Sequence, residues 1–300
     1  MLVNFENVVG ERPGPHLLIV SGVHGDECEP MEAVRQLASE IVPHELSGRL
    51  TLVPIANEPA YRFGRRVAED HLDLALVCPG RADGSITEQI AFELAGLIRR
   101  ADYFIDLHTG GTNLRVWPLA GYLIHRDSAV LEKQRFMARS FHLPVVWGTD
   151  PSLEGRTLSV ARDASVPAIY VEYQGSIPFC HAAVEAMRCG CQNVMRAIGM
   201  LPGEPMVDAT QFFAEDSRSN SGHLQICHPA PADGLFVATV EVGDKLLQGN
   251  PIGFFTDDVD YRRTMVQAES SGRVVAIRGL PRVSTGEGLA VIAQFEEIHR

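Results

Sequence analysis

Two short, largely apolar runs constrain this chain more than anything else in it: His16-Leu-Leu-Ile-Val20 and Tyr103-Phe-Ile-Asp-Leu107, each followed by a glycine-bearing polar segment. Runs of this length bounded by such segments read as strands buried on both faces, the situation inside a sheet that helices cover on two sides. Thr51 to Ile55 and Pro167 to Val171 have the same texture. Amphipathic helical patterns lie among them, from Cys28 to Val42, Ile86 to Arg100, Ala129 to Phe141 and Ala182 to Met200. Strand and helix in alternation predict an α/β domain with a mainly parallel sheet. Ser85-Ile-Thr-Glu88 predicts a capping box at the start of the second helix.

In open α/β sheets, ligands sit beyond the carboxyl ends of the strands. His24, Asn57, His108 and Glu172 all fall just past such ends. The segments Ser21-Gly-Val-His-Gly-Asp-Glu27 and Phe104-Ile-Asp-Leu-His-Thr-Gly-Gly111 offer His24, Glu27 and His108 as a ligand set. Two imidazoles and one carboxylate suit a catalytic zinc ion, one per chain, that keeps a position open for water. Asp106 precedes His108 by two residues, so both side chains share one side of an extended strand and the carboxylate can orient the imidazole. Glu172, at a strand end, is placed to act as general base. Each motif in isolation has a structural reading too: a hydrogen-bonded imidazole, a turn-capping Asp, a solvent-facing Glu. Their coincidence on one sheet edge favours a metallohydrolase.

The texture changes after Leu201. Residues 1–205 are expected as the catalytic α/β domain, 206–222 as a polar linker, and 223–300 as a small all-β domain with turn signals at Asp233-Gly234, Gly243-Asp244, Gly249-Asn250 and Ser271-Gly272. The order of 243–249 and 268–275 resembles the barrel-sandwich repeats of biotinyl and lipoyl carrier domains. The intervening hairpin, Thr256 to Thr264, holds no attachment lysine, so a wall or lid for the catalytic domain is expected instead.

A formal charge of −12 without clustered Lys or Arg disfavours nucleic acid as a partner. The N-terminus lacks a basic start and an apolar stretch, and no run approaches the ~20 apolar residues of a membrane span. Six scattered Cys fit a reducing compartment. A cytoplasmic protein without membrane contact is expected, with homo-oligomerisation left open.

Taken together, the motifs resemble the succinylglutamate desuccinylase and aspartoacylase family, relatives of the zinc carboxypeptidases. The HGxE of that family matches His24 and Glu27, its DLH matches Asp106 to His108, and its strand-terminal catalytic Glu matches Glu172. The resemblance implies a zinc-carboxypeptidase-like mixed sheet with flanking helices. It also aligns Asn57-Glu-Pro-Ala-Tyr-Arg-Phe-Gly-Arg-Arg66 with a segment in which the last Arg stabilises the oxyanion, assigning that role to Arg66 rather than Arg65 or Arg62. One departure stands out. Where the family reads DLNR, this chain reads Asp73-Leu-Ala-Leu76, so Ala75 and Leu76 replace an Asn and an Arg that grip a substrate carboxylate. Arg162, ten residues before Glu172, resembles a substrate-contacting Arg of aspartoacylases, with Arg156 and Arg115 as other cations that can take over.

The expected activity is zinc-dependent removal of an N-acyl group from a small amino acid or amine derivative. Asn57, Arg162 and Leu76 are its expected substrate contacts. A metallocarboxypeptidase or amidase acting on small peptides is the alternative enzyme, and a noncatalytic metal- or ligand-binding homologue the alternative outside enzymes.

Overall fold

The computed structural model describes residues 2–175, 178–206, 211–219, 221, 223–224 and 227–298. The strands of the first two thirds are β1 (Glu6–Val9), β2 (Arg12–Val20), β3 (Ser47–Val53), β4 (Tyr103–His108), β5 (Leu114–Leu123), β6 (Val145–Thr149), β7 (Ala168–Gln174) and β8 (Gln211–Glu215). The helices are α1 (Cys28–Glu40), α2 (Glu58–Phe63), α3 (Leu74–Val77), α4 (Ile86–Ile98), α5 (Ser128–Ser140), α6 (Thr157–Asp163) and α7 (His181–Ala197). The main sheet runs β1-β3-β2-β4-β7-β5-β6-β8, with β3, β2, β4 and β7 parallel to one another, β1 antiparallel to β3, β5 antiparallel to β7, and β6 and β8 parallel to β5.

Strand β2 shows why the expected runs become central strands. Leu17 and Ile19 pack with Val34, Leu37, Phe141, Met187 and Val194 in one buried cluster. Leu18 and Val20 pack with Ile90, Leu94, Ile98 and Val160 in another. Successive side chains of a strand point to opposite faces. α1, α5 and α7 therefore cover one face while α4 and α6 cover the other, and all four residues are fully buried. The capping box forms at α4, where the Ser85 amide donates to Glu88 Oε2 at 2.8 Å and the Glu88 amide reaches Ser85 Oγ.

Strand β5 is not legible in the sequence reading. Pro118 has no N–H to give to a ladder, and the pairing of β5 with β7 shifts register between Val116 and Leu119. Its insertion between β7 and β6 makes the sheet mixed rather than mainly parallel.

The C-terminal strands are β9 (Gly234–Ala238), β10 (Lys245–Leu246), β11 (Pro251–Asp257), β12 (Arg263–Gln267), β13 (Gly272–Arg278), β14 (Arg282–Val283), β15 (Ala290–Ala293) and β16 (Glu296–Ile298). β12-β11-β9-β14 form a separate four-stranded sheet. Phe236, Ile252 and Phe255 pack from that sheet against Val274 and Ile277 of β13 in one small core. β13 also pairs with β5, so this second β domain is hydrogen-bonded to the main sheet. The stretch expected as a linker contains β8, which pairs in parallel with β6. Apolar Phe212, Phe213 and Ala214 give it something to bury, which the polar residues 215–222 concealed. Residues 207–210, 220 and 222 of that stretch lie outside the described residues. No described helix is long and apolar enough to cross a membrane.

Candidate active site

The chain turns outward from β2 into α1 and β3 on one side of the sheet, then returns to β4 on the other, which opens a crevice at the carboxyl ends of β2 and β4. The His24-Gly-Asp-Glu27 turn fills that crevice. A Cβ at Gly25 would lie 2.1 Å from the carbonyl carbon of Ala60, so only glycine lets this turn pass the backbone of α2.

His24, Glu27 and His108 are all buried, and their ligand atoms lie within 4.8 Å of one another. Both imidazoles present Nδ1 to the Glu27 carboxylate, His24 at 2.7 Å from Oε1 and His108 at 3.1 Å from Oε2. The opposite ring nitrogens meet carboxylates as well. His24 Nε2 is 3.1 Å from Asp73 Oδ1, and His108 Nε2 is 3.1 Å from Asp106 Oδ2. Thr157 Oγ1 donates to the same Asp106 oxygen. Imidazoles held from behind by carboxylates are the usual companions of a metal ion. The donor set of two nitrogens and one carboxylate, buried and convergent, fits zinc. Burial alone would raise the Glu27 carboxyl, but His24 and His108 outweigh it and hold Glu27 well below the usual range. Burial would likewise lower His108, but Asp106 and Glu27 push it up.

Arg66 adjoins this group, with Nε 2.9 Å from Asp73 Oδ2 and Nη1 3.6 Å from Glu27 Oε1. Burial would raise the Asp73 carboxyl, but His24 and Arg66 keep it strongly depressed. Glu172 lies within β7, in register with His108 of β4, rather than at the strand terminus. Its Oε2 is buried without a hydrogen-bond partner among the described residues. Burial lifts its carboxyl well above the ordinary 4.5, against the lowering pull of His108.

His24, Arg66, Asp106, His108 and Glu172 line one cavity, together with Ala75, Arg156, Tyr170, Leu123, Leu153, Leu158 and Leu224. Leu224, from beyond the expected linker, is part of the wall. Three sequence-derived substrate contacts are placed elsewhere. Asn57 is fully buried as the N-cap of α2, its Oδ1 accepting from the Ala60 amide at 3.2 Å, because an Asn before Pro-containing α2 satisfies an orphan amide. Arg162 faces away, bound to the Pro151 carbonyl at 2.7 Å and to Glu154 and Asp163. Leu76 is 55% exposed and does not line the cavity. Arg115 pairs with exposed Glu241. The sequence reading also missed Asp73 as the partner of His24, although it sits in the very segment where the departure at positions 75 and 76 was noted.

A model of the succinylglutamate desuccinylase/aspartoacylase catalytic domain matches residues 13–198. The N-alpha-acetyl-L-2,4-diaminobutyric acid deacetylase of Halomonas elongata is 30% identical over 97% of this chain and 85% of its own length. The succinylglutamate desuccinylase of Burkholderia thailandensis is 33% identical over 36% of this chain and 34% of its own. Among solved structures, the succinylglutamate desuccinylase/aspartoacylase from Rhodobacter sphaeroides superposes with a TM-score of 0.87 at 24% identity, covering 99% of this chain and 90% of that one. The product-bound ectoine utilization protein EutE (DoeB) from Ruegeria pomeroyi superposes with a TM-score of 0.86 at 25% identity, over 97% and 88% of the two chains. With most of the α/β domain matched by the family model and a relative aligned along nearly the whole length, the chain belongs to the succinylglutamate desuccinylase/aspartoacylase family.

Proposed function

We propose that this protein is a zinc-dependent hydrolase that removes an N-acyl group from a small amino acid derivative. The observation that carries the reading is the buried cluster of His24, Glu27 and His108, whose two imidazoles line the same cavity as Glu172, with Glu172 Oε2 lacking a hydrogen-bond partner among the described residues. His24, Glu27 and His108 would hold the zinc ion, which when bound acidifies water and polarises a carbonyl. Glu172 takes the proton of the attacking water on its unbonded Oε2 and passes it to the departing nitrogen. Arg66, kept charged by Asp73 and Glu27, stabilises the developing oxyanion. The apolar wall of Leu123, Leu153, Leu158 and Leu224 excludes water around the reacting amide.

The Halomonas elongata relative's name makes N-acetylated 2,4-diaminobutyrate the first compound to try. The test combines metal analysis with hydrolysis of N-acetyl, N-succinyl and N-formyl amino acids by the wild type and Glu172→Gln. Near-stoichiometric zinc, with turnover that Glu172→Gln lowers by about 10²–10⁴-fold, is expected. Release of C-terminal residues from small peptides instead would make the protein a carboxypeptidase. Zinc without turnover of any compound would make it a binding protein.

A further inference from the structure

The separate sheet of the C-terminal domain, β12-β11-β9-β14, has two faces of different character. Phe236 and Phe255 point into the small core. On the opposite face Val237 of β9 stands across from Phe254 of β11, and Phe254 from Met265 of β12. Residues directly opposite one another in antiparallel strands share a face, so these three side chains form one apolar row toward solvent. Val237 is exposed, Met265 is 53% exposed, and exposed Leu235, two residues before Val237, widens the row. Contiguous apolar side chains on one exposed face mark a contact surface, which single scattered ones do not.

The row ends at an open edge. Among the described residues β12 pairs only with β11, which leaves the outer N–H and C=O groups of Arg263–Gln267 without a neighbouring strand. Sheets usually guard such an edge with Lys, Pro, a very short strand or a covering loop. β12 is five residues long, has neither Lys nor Pro, and exposes Arg263, Thr264, Met265 and Gln267. Its one charge, Arg263, lies over the Phe254 ring at 4.1 Å, on the face of the sheet. The two ends of the strand are complementary. Arg263 opens it and exposed Glu269 stands two residues past its end, neither of them in an ion pair among the described residues. Before Arg263, the hairpin tip leaves Val259 88% and Tyr261 79% exposed. Beside Glu269, the turn that carries exposed Leu247 is tied to β12 by the Gly249 amide, which donates to the Ala268 carbonyl at 2.8 Å.

We propose that β12 is a homodimer interface, at which a second copy of this chain lays its own β12 antiparallel to this one and the two four-stranded sheets run on as one. A two-fold axis normal to the sheet keeps both apolar faces on the same side, so the rows of Val237, Phe254 and Met265 join across the axis. It also turns Arg263 of each copy toward Glu269 of the other, and each hairpin tip toward the end that carries Leu247. A parallel pairing would set Arg263 against Arg263. Complementary ends therefore select the antiparallel arrangement, and a self-complementary pairing uses up both β12 edges, so assembly stops at two. The proposal is independent of the deacylase reading, because none of these residues lines the active-site cavity.

Sedimentation velocity on the full chain, from about 1 to 100 µM, reads the assembly directly. A concentration-dependent equilibrium between monomer and dimer is expected. Met265→Lys, which brings two cations together beside the axis at a position the monomer leaves exposed, should weaken dimerisation by about tenfold or more. Arg263→Glu and Glu269→Arg should each weaken it by about tenfold, and the double variant Arg263→Glu/Glu269→Arg should recover most of the loss. Circular dichroism confirms that each variant keeps its fold, and if Met265→Lys does not, the charge exchange decides alone. A monomer throughout the range, assemblies that grow beyond two, or a dimer that no single variant weakens would each overturn the assignment. A double variant that dimerises no better than the single ones would overturn the antiparallel pairing.

Discussion

The two sides of the cavity treat buried charge differently. On the side of His24, Glu27 and His108, each imidazole meets two carboxylates and Arg66 shares two of the same groups, Glu27 and Asp73, so charge is compensated within the protein. On the side of Glu172 and Arg156, a carboxylate oxygen and a guanidinium nitrogen are buried with no hydrogen bond among the described residues. Burial without compensation is unfavourable to folding and persists where a ligand or reaction uses the group. The contrast teaches that the first side is built to hold a fixed geometry and the second to receive something from outside.

Substitutions that break the compensated side test this division most severely. Arg66→Met, which removes the proposed oxyanion donor, should lower kcat by about 10²–10³-fold with a smaller change in KM. Steady-state kinetics on the best acyl amino acid decides it, and a change confined to KM would move Arg66 from transition-state to ground-state contact. Next in size, Asp73→Asn should weaken zinc binding by about 10–100-fold, because His24 loses the carboxylate behind Nε2. Competition with a chelator measures this, and unchanged affinity would mean that Asp73 serves Arg66 alone.

The smallest effect comes from the uncompensated side and has the opposite sign. A carboxyl whose folded pKa is raised by burial destabilises the fold above its ordinary value of 4.5, and the penalty grows as pH rises toward the folded value. Glu172→Gln should therefore stabilise the metal-free protein, by about 1 kcal/mol or roughly 2–4 °C in melting temperature, more at pH 8 than at pH 5. Thermal melts of chelator-treated protein at the two pH values check it, and an equal or negative shift at both would show that Glu172 is compensated after all.

How much of this was legible in the sequence differs from residue to residue. His24 and Glu27 lie three residues apart on one turn, and Asp106 and His108 two apart on one strand, so their local spacing is enough to mark them. The central strands and the helices that flank them were legible because burial on both faces leaves unbroken apolar runs. β5 was hidden by Pro118, and β8 by the polar residues that follow it. Asp73 meets His24 across 49 residues of chain, a distance at which no spacing rule applies.

Arg156 and Arg162 show the limit most clearly. Both are arginines shortly before Glu172, and the ten-residue spacing favoured Arg162, yet it is Arg156 that lines the cavity. The sequence by itself determined that this chain is an α/β fold carrying two His, one Glu and a further Glu in or just beyond its central strands, because those patterns depend on periodicity and near neighbours. Only the tertiary structure decided which arginine enters the cavity, which asparagine is spent on a helix cap, and which aspartate stands behind which histidine. Those choices depend on a left-handed glycine lodged against a distant carbonyl and on contacts across the sheet, where orientation rather than residue type decides what a side chain can reach.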